Sequence, residues 1–243
     1  MKNIKFLNKL KKIIPNNIQP KFKNDYDVLK WNQKKGKLFC QSIIKKNNKI
    51  KKQNMLKKSG IQALYINCSF DNYIIEHEGH KKVITLAKKY VQEFNNNINN
   101  FVFSGWPGTG KNHLASAIAN YLINQKKSVF IITIADLMSN IKKTFNRKLN
   151  VNDNEENLLY YLSTRDLLII DEIGIQIESR YERMIIHQIV DRRYSSKKPT
   201  GMLSNLNYYD MIRVLGERVM DRMCLGNNLW LDFKWNSYRK NIS

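Results

Sequence analysis

The sequence predicts an α/β fold, a five-stranded parallel sheet flanked by helices and preceded by a helical N-terminal arm. Five short apolar runs, each followed or preceded by a helical stretch, keep the rhythm of strand and crossover in a parallel sheet. A glycine-rich loop, Gly105 to Asn112, directly follows the first run and opens a helix. The first sixty residues carry basic, helix-compatible sequence with too few apolar positions to bury a core of their own.

The elements follow in order. Ile4, Leu7, Leu10 and Ile14 mark a short amphipathic helix, and the Pro15 to Pro20 stretch breaks it. A second helix is expected from about Asp25 to Leu56, where Val28, Trp31, Leu38, Ile43 and Ile44 are the sparse apolar positions. Such a helical arm docks on something else, its own chain or a partner, and Leu10, Val28 and Trp31 are candidate partner contacts. The arm is set at residues 1–60, a connector at 61–78 and the core at 79–243. Strands are expected at Phe101 to Ser104, Ser128 to Thr133, Leu167 to Asp171, Thr200 to Ser204 and Leu229 to Phe233.

Composition excludes several classes. No apolar stretch approaches the roughly 18 to 20 residues that span a bilayer, and no secretory leader is apparent, so neither a membrane nor a secreted protein is expected. Three widely spaced cysteines make no disulfide framework, which fits a reducing, cytoplasmic setting. Cys40, Cys68, His77 and His80 match no standard zinc knuckle. The formal charge of +22 suggests an anionic partner, but 32 Lys and 31 Asn reflect a biased composition and weaken that inference. In a chain that defaults to Lys, the 10 Arg mark places where a planar, bidentate guanidinium is useful.

The chemistry concentrates at four places. Gly105, Trp106, Pro107, Gly108, Thr109, Gly110, Lys111 and Asn112, with His113 opening the helix, form a phosphate loop. Its glycines let backbone N–H groups turn inward, and Lys111 reaches the β- and γ-phosphates of ATP. Asn112 replaces the usual hydroxyl residue that helps hold Mg²⁺, and a carboxamide oxygen can take that role with different reach. Asp171 ends an apolar run and is the second candidate metal residue, while Glu172 is placed to polarise the attacking water. Asn205 follows the next run, where an amide orients that water or merely makes a turn. Arg218 and Arg222 share one helix face at i and i+4, which either binds a shared anion or is a solvated face with Arg218 paired to Asp221. Phe145 lies among Lys142, Lys143 and Arg147, the composition of a single-strand stacking surface, and it equally suits the last core anchor of a helix. Tyr181, among Arg180, Arg183 and two glutamates, leaves the same two readings open.

The segments GTGKNHLASAIAN, IVDRR, PTGMLSN and LGERVMDRM, with the stretch from Asp171 to Glu182, resemble the DnaC family of bacterial replicative helicase loaders. Asn after the phosphate-loop Lys is shared with that family. The resemblance implies an AAA+ P-loop core of the initiator-loader group; the roughly ten residues after the last expected strand leave no room for a C-terminal helical lid, and a lidless site with Asn112 at the metal position and a finger in trans is expected to hydrolyse ATP slowly, as a switch. The resemblance further implies that Arg222 acts as an arginine finger on ATP bound by a neighbouring subunit, with self-association on the helicase. The arm would grip a hexameric DnaB-type helicase, Phe145, Ser179 and Tyr181 would face single-stranded DNA, and the segment from Cys68 to Tyr73 would lie near the adenine. A small-molecule kinase would need an acceptor pocket and charged lid that nothing after residue 205 supplies; an IstB-type transposase-helper ATPase shares nearly the same core.

Overall fold

The computed structural model describes residues 25–94, 99–146, 154–174, 179–226 and 228–238. The short helix expected around Leu10, and Arg147 and Arg239, lie outside these residues, as does the side chain of Phe145. The chain divides into two compact units, residues 1–50 and 51–243. Helix α1 runs Asp25–Lys57, close to its expected bounds. In the first unit it exposes Leu29, Phe39 and Ile44, and Lys35 places its ammonium 4.6 Å from the centre of the Trp31 ring.

The second unit is a doubly wound sheet. After a 3₁₀ turn at Ala63–Tyr65 come α2 (Glu78–Glu93), β1 (Phe101–Gly105), α3 (Lys111–Asn124), β2 (Val129–Thr133) and α4 (Ile134–Asn146). Then follow α5 (Glu155–Thr164), β3 (Leu167–Ile173), α6 (Arg180–Ser195), β4 (Thr200–Ser204), α7 (Tyr208–Leu215), α8 (Glu217–Cys224) and β5 (Leu229–Phe233). The sheet order is β2-β3-β4-β1-β5, with every pairing parallel. Helices α2 and α3 cover one face through Ile84, Tyr90, Leu114 and Ile118; α4 to α8 cover the other through Leu137, Leu159, Ile186 and Met220. Burial on both faces explains why the strands read as near-continuous apolar runs. Beyond β5 the described residues run to Tyr238 without an α-helix.

Three local features position the functional residues. Strands β3, β4 and β1 are neighbours, so their C-terminal ends bring Asp171, Asn205 and the glycine-rich loop to one rim of the sheet. Strand β3 extends past Asp171 to Ile173, with a shift of register against β4 between Ile170 and Ile173. Glu172 sits within that irregularity at φ 60°, the left-handed region that non-glycine residues rarely adopt. The outer edge of β2 is capped by the chain that follows α1: the Ile131 N–H donates to the Ser59 carbonyl at 2.7 Å. Gly60, at φ 70°, is required there because a Cβ would strike the Ile131 carbonyl.

Arg193, fully buried on α6, ties the frame together. Its Nη1 donates to the carbonyls of Leu162, Ser163 and Arg165 at the end of α5, at 2.6, 3.3 and 2.9 Å. The other side of the fork reaches the Pro199 carbonyl and, at 3.1 Å, Thr200 Oγ1 at the start of β4. Burial pulls its pKa down to about 9, which the nearby Tyr90 and Asp166 oppose. Only a planar fork serves acceptors on two elements at once. Arg193→Ala is expected to cost about 3 kcal/mol or more, because several buried carbonyls lose their donor together. Urea unfolding checks this, and Arg193→Lys should recover less than half of the loss.

Candidate functional site

The loop between β1 and α3 is shaped by glycine. Gly105, Gly108 and Gly110 have φ of 141°, 76° and 93°. A Cβ on Gly105 would strike the backbone of Phe233, one on Gly108 would strike Ser237, and one on Gly110 would press on the Tyr73 hydroxyl. The loop is thus held from outside by β5, the residues after it and the connector. Trp235 Nε1 donates to the Thr109 carbonyl at 2.9 Å, the Tyr238 N–H donates to the Gly108 carbonyl at 2.9 Å, and the Tyr73 hydroxyl lies 3.5 Å from the Thr109 carbonyl.

Lys111 is 6% exposed and fully engaged. Its Nζ donates to the carbonyls of Gly105 and Trp106 at 2.6 and 2.7 Å and to Asn205 Oδ1 at 3.0 Å. Burial lowers its pKa to about 8, partly offset by the Asp171 carboxylate. Asn112 Nδ2 donates to Asp171 Oδ2 at 2.6 Å, and the Glu172 N–H donates to Asp171 Oδ1 at 2.7 Å. The Asp171 pKa is raised by burial first and by Glu172 as well, against the pull of those hydrogen bonds and of Lys111. Asn112 therefore orients the carboxylate through its amide nitrogen.

These groups line a cavity of about 450 Å³. Residues Pro107 to His113 form its floor, and Asp171, Glu172 and Asn205 one wall. Tyr65, Cys68, Asn72 and Tyr73 of the connector and Trp235 and Tyr238 after β5 complete it. His113 Nε2 meets Asn72 Oδ1 at 3.0 Å and the Ser69 carbonyl at 3.3 Å, joining helix α3 to the connector. Burial pushes its pKa down, against the Ser69 carbonyl. Gly105 and Trp106 are not on the wall; they serve it through the carbonyls that hold Lys111. The chemistry fits a nucleoside triphosphate: a loop bent by three glycines, one buried ammonium beneath it, and a carboxamide bonded to a carboxylate beside it.

Other expected site residues stand apart from the cavity. Arg222 is paired with Asp191 of α6, and Arg218 Nη2 is 3.4 Å from the same carboxylate, so the shared anion belongs to the chain itself and Asp221 is not the partner of Arg218. Ser179 caps α6, accepting from the Glu182 N–H at 3.1 Å, and the Tyr181 hydroxyl donates to Glu155 at 2.8 Å. Trp235, Ser237, Tyr238 and Asp191 were not singled out from sequence. Asp191 lies within the IVDRR segment, and aromatic residues so soon after the last strand were the available signal for the others.

The family of IstB-like ATP binding proteins matches residues 31–242. A replicative helicase loader DnaC of Buchnera aphidicola subsp. Baizongia pistaciae is 63% identical over 243 residues, all of this chain and 98% of that protein. The replicative helicase loader DnaC of Escherichia coli strain K12 is 51% identical over 244 aligned positions, again 100% and 98% of the two chains. A crystal structure of the DnaC helicase loader superposes with a TM-score of 0.62 at 22% identity, covering 70% of this chain and 99% of that one.

Lys111→Ala should lose ATP binding, whereas Glu172→Gln should keep ATP binding and lose hydrolysis. Equal ATP affinity in wild type and Lys111→Ala would overturn the phosphate-loop assignment. Because the Lys111 pKa is depressed to about 8, the site loses its positive charge as pH rises through that value. Wild-type ATP affinity, measured by calorimetry, is expected to fall toward tenfold per unit above about pH 8. A flat profile between pH 7 and pH 9.5 would contradict this.

Proposed function

The chain belongs to the IstB-like ATP binding proteins and, within them, to the replicative helicase loaders named DnaC, and we propose that it uses ATP as a switch to deliver a hexameric DnaB-type helicase onto single-stranded DNA in the cytoplasm. The observation that carries the ATP part is the cavity in which Lys111, Asp171, Glu172 and Asn205 converge on the glycine loop. Lys111 releases its loop carbonyls to neutralise the β- and γ-phosphates. Glu172, thrown outward by its left-handed backbone, takes the proton of the attacking water, and Asn205 orients that water beside Lys111. Asp171 and the Asn112 oxygen would hold Mg²⁺, which supplies charge neutralisation at the phosphates. The connector wall from Cys68 to Tyr73 suits an adenine base.

Slow turnover follows from two features. Asn112 spends its amide nitrogen on Asp171 and offers one oxygen where a hydroxyl is usual. Arg222 does not line the cavity of its own chain, so a finger at this residue must come from a second copy on the helicase. The arm (1–60) exposes Tyr26, Leu29, Leu38 and Phe39 along α1, which supports a partner contact on this helix, and Leu10, Val28 and Trp31 are the residues we assign to the helicase. The connector (61–78) and core (79–243) keep the roles given above, with Phe145, Ser179 and Tyr181 toward DNA. Full-length similarity to the loaders, arm included, favours this reading over a transposase helper that shares the core.

The deciding experiment is co-purification with a hexameric DnaB-type helicase; absence of a complex would favour the transposase-helper reading. Trp31→Ala should break that complex while ATP binding is unchanged. Phe145→Ala should weaken single-stranded DNA binding by about 1 to 3 kcal/mol and leave the helicase complex intact; a collapse in melting temperature without a DNA defect would make Phe145 a core residue. For the finger, Arg222→Ala should bind ATP normally and lose hydrolysis stimulated by helicase and DNA. Mixed with Lys111→Ala at fixed total protein, it should recover activity above the sum of the two. With co-assembly shown, no recovery would refute action in trans.

A further inference from the structure

Helices α6 and α8 meet at one carboxylate. Asp191 pairs through Oδ1 with Arg222 Nη1, and its Oδ2 lies 3.4 Å from Arg218 Nη2 and 3.8 Å from His187 Nδ1. We propose that Asp191 is the positioning residue that holds Arg222 ready for the phosphates of ATP bound by an adjoining copy of the chain. This rests on the reading of Arg222 as a finger acting in trans.

The pair is built on a rigid base. Asp191 follows the buried Ile189 and Val190 and precedes by two residues the fully buried Arg193, whose guanidinium is bonded to α5 and β4. The carboxylate is therefore fixed to the core. Arg222 sits on an eight-residue helix that begins at a glycine of φ 88°, a weaker support. Its backbone is nonetheless pinned, because Asn100 Nδ2 donates to the Arg222 carbonyl at 2.9 Å while Asn100 Oδ1 accepts from the Thr200 N–H at 2.8 Å. Main chain and side chain of Arg222 are thus set from two directions.

Charge gives the arrangement its purpose. Two guanidiniums at i and i+4 repel, and left alone they would splay apart into solvent. One carboxylate between them cancels a single charge, so the cluster keeps a net positive charge for an incoming anion. The two arginines are not equivalent: the side chain of Arg222 is 18% exposed and that of Arg218 68%. Arg222 is engaged through Nη1, no bond of its Nε or Nη2 is seen among the described residues, and its guanidinium carbon lies 5.7 Å from the centre of the Tyr194 ring. A finger held in this way needs little reordering at the moment of reaction, which is where preorganised charge is most effective.

A double-mutant comparison tests the assignment. Stimulated ATP hydrolysis is measured with helicase and single-stranded DNA for wild type, Asp191→Asn, Arg222→Ala and the double variant, with melting temperature and co-assembly followed for each. Asp191→Asn is expected to lower kcat about 10- to 100-fold with KM for ATP unchanged, to fall no further when combined with Arg222→Ala, and to be partly rescued by Asp191→Glu. Wild-type kcat in Asp191→Asn beside a defective Arg222→Ala would overturn the role of Asp191 alone. An equal fold-loss on both backgrounds, or a loss that tracks melting temperature, would make Asp191 a plain helix-to-helix bond and also overturn it. An unaffected Arg222→Ala would remove the finger itself, and this proposal with it.

Discussion

A buried ammonium that must find acceptors organises the site. Lys111 stands almost sealed from water at the first turn of α3, and a charge in that position is tolerated only when hydrogen-bonded. Three oxygens answer it, from Gly105, Trp106 and Asn205. The first two require the loop to fold back over its own lysine, which only left-handed glycines allow; the third requires β4 beside β1. Sheet order, loop sequence and the position of Asn205 together satisfy one cation. Phosphate oxygens can substitute for those acceptors with a stronger, charge-assisted interaction.

A loop bent so sharply has to be held, and the chain holds it from both ends. Tyr73 comes from the connector before the core, Trp235 and Tyr238 from the residues after β5, and all three address carbonyls of Gly108 and Thr109. Carbonyls turned outward to these donors are carbonyls turned away from the phosphates, which leaves the amide N–H groups on the inner side. His77, His80 and Trp235 pack ring against ring beneath this contact, with His77 and His80 centres 3.9 Å apart. The chain just before the connector reaches β2 as well, through Ser59 on Ile131. The stretch between arm and core is therefore bonded to the sheet edge at one end and to the nucleotide loop at the other.

Much of this was legible in sequence, for physical reasons that also mark where legibility stops. Strands buried on both faces are apolar throughout, so the runs at Thr200 to Ser204 and Leu229 to Phe233 coincide with β4 and β5, and α1 ends one residue beyond the expected Leu56. The phosphate loop was readable because its chemistry is local. Strand β3 overran its expected end at Asp171 because a shift of register inserts Glu172 before pairing resumes at Ile173, and apolar patterning does not encode a bulge. Asp191 was missed because its partners lie 27 and 31 positions away on another helix, beyond the reach of any periodicity. The weighting given to arginine in a lysine-rich chain was informative. Arg193 serves acceptors on two elements, Arg192 grips Glu156 bidentately at 2.6 and 2.9 Å, and Arg218 and Arg222 converge on Asp191.

The division between a complete ground-state site and an incomplete transition-state site is what a switch needs. Lys111, the glycine loop, the connector wall and Asp171 are assembled within one chain, and each acts on ATP before any bond breaks. The charge that develops on the leaving and transferring oxygens calls for a further cation, and the two arginines suited to it are held by Asp191 outside that cavity. On the proposed reading, binding would be a property of the single chain, and fast hydrolysis a property of two chains in register. Such an arrangement ties the lifetime of the ATP-bound form to assembly rather than to ATP concentration. If Arg222 is the finger, its timing would rest on how firmly it is held by Asp191, a carboxylate of α6 two residues before the buried Arg193 that binds α5 to β4.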